Sequence, residues 1–304
     1  PLPGHRRTRM NARSIYIPHR PLLGIALVVA GSQLLSMMDG VAKYLAAEYP
    51  VLQISWARFV FHVLCVLPVV LWRYGVQWLW PRHIGLQMTR GGLQLSATVF
   101  FFASLAYISI VDAVAMVFVA PLIVTLLSPW VLDERVGIRR LVAVVAGFGG
   151  ILLVVRPGTG IFHWASLLAL GAGISLACFL LLTRKMSGSA PAAVTLAFTG
   201  LIGALVLSAA MPFVWQPVTL PALGMMMLLG LFAASGHLLI IKAYETSPAS
   251  LLAPFGYSEI ITATVISYVV FTELPDSWGW LGICIVIASG VYIWVREQRV
   301  LARR

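Results

Sequence analysis

The sequence has very few charged residues for its length. Of 304 residues only 10% are charged, with 10 acidic and 21 basic side chains, whereas about 25% of the residues in a soluble domain are charged. So few charges cannot cover the surface of soluble domains of this total size, and 60% of the residues are apolar. The composition excludes a soluble enzyme and a disordered chain, and it predicts a protein that crosses a membrane many times.

Cysteines and the common catalytic motifs are also scarce. Cys65, Cys178 and Cys284 are far apart and form no CxxC pair, which excludes a secreted disulfide scaffold and gives no metal-ligand spacing. No lysine follows a glycine, so there is no Walker A motif, and neither HExxH nor GxSxG occurs. We therefore expect no enzyme activity, no metal and no cofactor.

Long apolar runs, by contrast, are abundant. A transmembrane helix needs about 20 mostly apolar residues, and ten such runs follow one another with short connections. The predicted spans 1 to 10 are 21–45, 53–72, 88–107, 113–131, 139–156, 164–183, 191–211, 220–241, 250–271 and 277–295. The sequence thus predicts an all-α integral membrane protein with ten transmembrane helices.

The basic residues indicate how the chain lies in the bilayer. With the N-terminus in the cytoplasm, every Lys and Arg falls on the cytoplasmic side except Lys43 and Arg156, which lie outside, and Arg58, which lies within a span. The positive-inside rule then predicts N-in/C-in, with basic cytoplasmic tails at 1–20 and 296–304. The net charge of +11 reflects topology and the lipid bilayer, and no nucleic-acid partner is predicted.

The two halves of the sequence resemble each other. An Ala-Tyr pair closes spans 3 and 8, and Glu134 and Glu273 follow spans 4 and 9. Because each half has five spans, the halves have opposite orientations, which is an inverted-topology repeat of the kind found in transporters. We expect repeat 1 at 21–156 and repeat 2 at 164–295, with a substrate site near the midplane between them.

Four ionisable residues lie in the outer half of spans 1 and 2. Such groups cost about 2.5–3.5 kcal/mol each on insertion scales, so they usually have a partner or a wet cavity. Asp39 and Lys43 are one turn apart in span 1, as are Arg58 and His62 in span 2. The alternatives are a buried Asp39–Arg58 pair that holds the two spans together, or a charged vestibule that binds a zwitterion or an anion. A pair between two mobile helices would also serve as a gate.

Span 9 carries the acid that we expect nearest to the substrate. Glu259 lies near its middle with Tyr257 beside it, and His237 lies in span 8. For Glu259 the alternatives are proton coupling, binding of a substrate amine, or a contact with a neighbouring helix. For His237 they are substrate contact or a structural hydrogen bond.

Spans 3 and 4 contribute further candidates for the substrate cavity. Gln94, Thr98 and Phe101 form a polar-to-aromatic stripe with helical spacing in span 3, although ordinary packing produces the same pattern. Pro121 removes the hydrogen bond of the Val117 carbonyl in span 4. A freed carbonyl near the midplane suits substrate contact, and a simple kink is the alternative.

Several motifs together resemble one family. They are Trp56-Ala-Arg58-Phe59, Pro121, Asp133-Glu134-Arg135, Tyr257-Ser-Glu259 and Phe271-Thr-Glu273-Leu-Pro275-Asp276. With ten spans in two halves, the chain resembles the EamA-type members of the drug/metabolite transporter superfamily over residues 21–297. One departure is that repeat 2 has no proline at the position that matches Pro121.

The resemblance implies a secondary or facilitative carrier without a cofactor, whose central cavity is lined largely by spans 1, 3, 4, 6, 8 and 9. Known relatives carry amino acids, other metabolites, riboflavin or S-adenosylmethionine. We expect a monomer in a bacterial inner membrane that carries a small polar metabolite, chiefly an amino acid or a derivative, by alternating access, with a coupled proton as an open question. The alternatives are uptake of riboflavin or S-adenosylmethionine, a non-transporting receptor, and an intramembrane enzyme.

Overall fold

The computed structural model describes residues 21–76, 83–131, 137–158, 162–186, 190–247 and 252–301, and all regular structure in these ranges is helical. The predicted N-terminal tail at 1–20 and the Asp133-Glu134-Arg135 motif lie outside the described residues. The predicted C-terminal tail is described only as far as residue 301. Up to that point it continues the last helix instead of forming a separate segment.

The described helices correspond to the ten predicted spans. They are α1 (Pro21–Leu45), α2 (Val51–Tyr74), α3 (Ile84–Leu105), α4 (Ile110–Val117), α5 (Val119–Val131), α6 (Ile138–Val155), α7 (Ala165–Lys185), α8 (Ala192–Val214), α9 (Leu220–Thr246), a 3₁₀ helix (Ala253–Ser258), α10 (Glu259–Phe271) and α11 (Ser277–Leu301). Helices α4 and α5 together form span 4, and the 3₁₀ helix and α10 form span 9. The expected all-α fold of ten spans is therefore confirmed.

Most of these segments can cross a bilayer by length and composition alone. Eight segments in the described residues meet that criterion, and the apolar segment Phe255–Phe271 is shorter. Helix α3 is not among the eight, and it carries Gln87, Arg90 and Gln94. The two segments that fall short therefore belong to span 3 and span 9.

Spans 4 and 9 are both interrupted in the bilayer region. In span 4 the helix breaks at Phe118, three residues before Pro121, whose missing N–H leaves the Val117 carbonyl without its usual donor. In span 9 the 3₁₀ turn changes to α-helix at Glu259. The absence of a matching proline in repeat 2 thus does not prevent an interruption at the corresponding place.

Corresponding helices of the two halves make corresponding contacts. Helix α1 packs on α9, its counterpart α7 packs on α3, and α6 packs on α11. Close approach is possible where glycines meet, because a Cβ at Gly31 would lie 2.8 Å from the Gly236 carbonyl oxygen, and one at Gly150 would lie 2.8 Å from that of Gly282. The N-in/C-in orientation stays a prediction.

Two ends of the bundle are distinguished below. The distal end is where α1 and α10 end and α2 and α11 begin, and the proximal end is where α1 begins and α2 ends. If the predicted topology holds, the distal end is extracellular and the proximal end is cytoplasmic.

Candidate functional site

A central cavity of about 260 Å³ lies where α1, α2, α3, the break in span 4, α7, α9 and α10 meet. All six spans that the resemblance implies contribute to its wall, and span 2 adds an arginine. The polar and ionisable side chains of the wall are Asp39, Arg58, Gln94, Thr98, His237 and Glu259. The rest of the lining is apolar and aromatic, which is the usual make-up of a small-molecule site.

Most of the residues predicted to face substrate line this cavity. The structure brings together six of the predicted set, from four different spans, and these are Gln94, Thr98, Phe101, Pro121, His237 and Glu259. The exception is Tyr257. Because the six come from both halves of the sequence, the cavity lies between the two repeats.

Tyr257 packs between helices instead of lining the cavity. Its ring meets the ring of Phe118 edge to face, with 4.9 Å between centroids and 78° between planes. Its hydroxyl lies against α11 at Gly290, where any Cβ would overlap it. The 3₁₀ turn that ends at Ser258 thus directs Tyr257 toward α11, while the next residue but one, Glu259, reaches the cavity.

One face of α1 contacts span 9 along its length. The Gln33 amide donates to the Ser258 hydroxyl over 3.1 Å, and the Thr262 hydroxyl donates back to the Gln33 carbonyl. The Ser36 hydroxyl donates to the Glu259 carbonyl oxygen over 3.4 Å. These bonds orient α1 so that Asp39, on the same helical face, lines the cavity with Glu259.

Arg58 is buried without the carboxylate partner expected for it. Among the described residues no ion pair within 4.0 Å joins it to Asp39 or to any other acid. Its guanidinium carbon lies 4.6 Å from the centroid of the Phe59 ring, and its Nε has no hydrogen-bond partner. The predicted direct pair is therefore wrong: Asp39 and Arg58 share the cavity instead of contacting each other.

Lys43 does not line the central cavity. Its ammonium pairs with the Glu273 carboxylate over 2.6 Å and donates to the Ile108 carbonyl oxygen over 2.7 Å. It also lies 5.1 Å from the centroid of the Phe271 ring. Lys43 lies at the distal end of α1 and ties repeat 1 to the loop that follows span 9.

A second cavity, called here the proximal cavity, adjoins the central one. It has a volume of about 270 Å³ and shares Arg58, Gln94 and His237 with the central cavity. His62, which was grouped with Arg58 one turn away in the outer half of span 2, lines this second cavity, and its Nε2 is buried without a hydrogen-bond partner. The remaining wall includes Thr183, near the proximal end of α7, so the two cavities together run from the centre toward that end.

Arg90, counted among the cytoplasmic basic residues, is buried inside the bundle near the proximal end of α3. Only 1% of it is exposed. Its guanidinium donates to the Thr195 carbonyl oxygen over 2.6 Å and to the Thr199 hydroxyl over 3.1 Å, and it lies over the Phe179 ring. Arg90 therefore sits beside the proximal cavity, whose wall includes all three of these neighbours.

Polar contacts join the two repeats at the distal end. The Gln53 amide donates to the Gln216 carbonyl oxygen and accepts from its backbone N–H, both over 2.9 Å. Arg156 binds the Asp276 carboxylate with two nitrogens, one at 2.8 Å. Because Arg156 holds a left-handed backbone (φ 46°) that favours glycine, its side-chain contact is the evident reason for an arginine there.

Asp276 lies in the loop outside the membrane spans, and the hydrogen bond from Arg156 lowers the pKa of its carboxyl below the ordinary 3.8. The carboxylate also accepts the backbone N–H of Gly279 over 3.0 Å. Asp276 is therefore ionised at neutral pH, and the contact with Arg156 remains charged.

The resemblance implies that span 6 lines the cavity, but the individual residues that α7 supplies to the wall were not predicted. Ala172, Leu176 and Leu180 follow one another at four-residue intervals and all line the central cavity. Their spacing marks one helical face, but apolar residues are common on every face of a membrane helix. No signal distinguished this face before the neighbours of α7 were known.

The cavity combines ionisable groups of both kinds. Two carboxyl groups and one guanidinium face a common space, with no ion pair within 4.0 Å between them. No group of three or more His, Cys, Asp or Glu side chains in the described ranges is placed to hold a metal ion. The arrangement can bind a small molecule that carries charges of both signs.

Comparison with known proteins gives a match over nearly the whole chain. The sequence profile of the EamA-like transporter family matches residues 22–156 and again residues 163–295. A crystal structure of a protein at 17% sequence identity superposes with a TM-score of 0.63, covering 91% of this chain and 98% of the other. The structural likeness concerns the fold alone.

Two kinds of curated relatives are similar in sequence. A riboflavin transporter of Vibrio cholerae is 26% identical, over 91% of this chain and 94% of that protein. An S-adenosylmethionine uptake transporter of Rickettsia bellii is 24% identical, over 88% of this chain and 92% of that protein. A riboflavin transporter of Rhizobium johnstonii is 26% identical, over 95% and 97%.

Proposed function

The chain belongs to the EamA-like transporter family, and on this premise we propose that its cargo is an amino-acid derivative with a positive charge in addition to its carboxylate. The protein is a multi-pass membrane transporter of a small metabolite and not an enzyme. The proposal about its cargo rests on Asp39, Glu259 and Arg58, which line one cavity.

The charges of the cavity select a cargo with charges of both signs. A buried guanidinium without a direct ion pair is costly, so Arg58 favours a ligand that brings a carboxylate. Asp39 and Glu259 favour a cationic group in the same ligand. A ligand with one carboxylate and cationic groups therefore neutralises the site better than a neutral molecule or a simple anion.

The shape of the site supports a head group joined to a longer substituent. Small-molecule pockets commonly have about 300–1,000 Å³, and the central cavity has about 260 Å³. The adjoining proximal cavity, of about 270 Å³, gives space for more. Phe101, Phe102 and Phe118 in the central wall offer aromatic faces for a planar ring or a cation.

S-adenosylmethionine is the member of this class that two observations favour. It combines a sulfonium, an α-amino group and a carboxylate with a planar base, and relatives about 24–25% identical are named for its uptake. Riboflavin is the second candidate, because other relatives are named for it. Riboflavin would use the aromatic wall but leave Arg58 without a carboxylate.

We infer that transport proceeds by alternating access, with this structure closed at the distal end. The contacts Lys43–Glu273 and Arg156–Asp276 join the repeats there, while the proximal cavity extends the site toward the other end. The broken spans 4 and 9 provide points about which half-helices can move. With the predicted N-in/C-in topology, this is an inward-directed state.

The proposal also concerns the membrane in which the protein lies, its oligomeric state and the coupling of transport to a proton. Its relatives are bacterial, so we place it in the inner membrane, as a monomer whose two repeats supply the internal interface. Glu259 is the residue we would expect to hold a proton if transport is coupled to one. A pH gradient that leaves transport unchanged would remove that coupling without affecting the cargo proposal.

Counterflow in proteoliposomes tests the proposed cargo. Liposomes that hold the purified protein are loaded with unlabelled S-adenosylmethionine, an amino-acid mixture or riboflavin, and the accumulation of the labelled compound is followed. We expect saturable counterflow of S-adenosylmethionine that riboflavin does not inhibit. Counterflow of riboflavin alone would overturn the charge argument and establish the second candidate.

A further inference from the structure

A groove on the outside of the bundle, between α6 and α11, is separate from the substrate site. It has a volume of about 540 Å³, more than either internal cavity. Its lining is mostly small and apolar, with Arg139 at one end and with Ser289 and Tyr292 from α11. None of its lining residues belongs to the central or the proximal cavity.

The crossing of α6 and α11 explains why the groove exists. The two helices touch near the distal end, where Gly150 and Gly282 meet backbone to backbone. Toward the proximal end, small residues such as Ala146 and Ala288 replace bulky ones along the seam and leave a trough. The trough runs about 16 Å from Gly150 to Arg139, at about 1.5 Å per residue, which is close to half of a hydrocarbon core of about 30 Å.

Arginines lie at the proximal mouth of the groove and beyond it along α11. Tyr292 lies about 15 Å from Gly282 along α11, so it is level with Arg139 on the facing helix. Arg296 and Arg299 continue the stripe of Tyr292 at intervals of four and three residues. Within the described part of the chain, none of the three arginines has an acidic partner within 4.0 Å.

We propose that this groove binds an anionic phospholipid, with the phosphate at Arg139, Tyr292 and Arg296 and one acyl chain in the trough. An apolar trough that ends in basic side chains complements a molecule with an apolar tail and an anionic head. Basic pockets between transmembrane helices on the cytoplasmic side are recognised sites for such lipids. The proximal end is the cytoplasmic one in the predicted topology.

The charge pattern favours a lipid over a second copy of the chain. In a symmetric dimer across this groove, the three arginines would face their own copies, and like charges at an interface repel. A zwitterionic lipid would fill the trough equally well but would gain less from the arginines. The site should therefore distinguish phosphatidylglycerol from phosphatidylcholine with the same acyl chains.

Native mass spectrometry of the full-length protein, delipidated in detergent and titrated with each lipid, tests this proposal. We expect one phosphatidylglycerol per chain to be bound at least tenfold more tightly than phosphatidylcholine. An arginine near an anionic lipid contributes about a factor of five, so Arg139→Ala should weaken phosphatidylglycerol about fivefold. Adding Arg296→Ala should weaken it by a similar factor again. Arg73→Ala, an exposed arginine at the proximal end of α2, is the matched control and should change nothing.

A second pair of variants tests the trough itself. Ala146→Phe fills the groove and should abolish the preferential binding, whereas Ala209→Phe, at an exposed alanine of α8, should not. Equal binding of the two lipids, or an Arg139→Ala variant that binds as the wild type does, would overturn the proposal. A dimer that Ala146→Phe dissociates would overturn it in favour of a second copy. None of these outcomes depends on the identity of the transported cargo.

Discussion

Phe118 and Tyr257 pack edge to face with 4.9 Å between their ring centroids, and each lies at the point where its span is interrupted. Each also precedes a glutamate, Glu134 or Glu273, by 16 residues, so the two occupy corresponding positions in the repeats. The contact therefore joins the two breaks directly. A movement of one half-helix about its break must be accommodated by the other.

A double-mutant cycle tests the coupling of the two breaks. Removing a fully buried aromatic side chain costs about 3–5 kcal/mol, and both rings are partly buried, so we expect Phe118→Ala and Tyr257→Ala each to lower stability in detergent by less than that. The double variant should lose less than the sum by about 0.5–1.5 kcal/mol, the energy of an aromatic pair. Tyr268→Ala, on the exposed side of α10, is the control. Additive losses would mean that the two rings act independently.

Replacing Glu259 tests the cationic side of the substrate site. A hydrogen bond to a charged group contributes about 1.5–3 kcal/mol, so Glu259→Gln should weaken S-adenosylmethionine binding about tenfold to a hundredfold. Thermal stability should be retained because the amide has nearly the same shape. Scintillation proximity binding measures the change, with Glu48→Gln in an exposed loop as the control. Unchanged affinity would remove Glu259 from the site.

Replacing Arg58 tests the anionic side. The wild type should bind S-adenosylmethionine about tenfold to a hundredfold more tightly than its decarboxylated analogue, because only the former offers a carboxylate to Arg58. In Arg58→Gln this preference should disappear, with affinity for the analogue little changed. Competition binding with both compounds measures the ratio. A preference that survives in Arg58→Gln would show that the carboxylate binds elsewhere.

The Lys43–Glu273 pair should act as a distal gate. In a variant without the native cysteines, we expect Lys43→Ala to increase the rate at which an impermeant thiol reagent reaches a cysteine placed at Met38, in the cavity wall. Exchange of the two charges, Lys43→Glu with Glu273→Lys, should restore the slow rate, since the attraction is recovered. A pair of this exposure contributes about 1 kcal/mol, hence about fivefold in rate. Failure of the exchange to restore closure would contradict the gate.

The second distal contact should be insensitive to pH in the physiological range. Arg156 lowers the pKa of Asp276 below 3.8. The contact between them therefore stabilises the folded protein at any pH above the pKa that Asp276 has in the unfolded chain. This stabilisation is lost only as pH falls through the lower pKa that Asp276 has in the folded protein. Because the reporter thiol reacts faster as it ionises, labelling of the wild type is compared with that of Asp276→Asn at each pH. The variant should be labelled faster by the same factor from about pH 5 to pH 8. A factor that changes between these pH values would assign closure to another titrating group.

The ten spans and the interruption in span 4 follow from the sequence for simple reasons. Apolar length decides which segments enter a bilayer, and Pro121 lacks the N–H that an unbroken helix needs. Glu259 and His237 were also predictable as cavity residues, because an ionisable group inside a span rarely faces lipid. These properties are local to one helix and need no knowledge of its neighbours.

The partners of charged residues were not predictable in the same way. Helical spacing placed Asp39 and Lys43 on one face, but it does not say which helix that face meets. The partner of Lys43 is Glu273, 230 residues later, and no described acid lies within 4.0 Å of the Arg58 guanidinium. Tyr257 and Glu259 are two residues apart yet face different surroundings, because a 3₁₀ turn precedes Glu259.

The most direct test of the account is a cryo-electron microscopy structure of the protein with S-adenosylmethionine bound. The account predicts density for the ligand in the central cavity, with its carboxylate about 3 Å from the Arg58 guanidinium and its cationic groups toward Glu259 and Asp39. A ligand bound outside the central cavity would contradict it. So would a ligand in that cavity with its carboxylate turned away from Arg58.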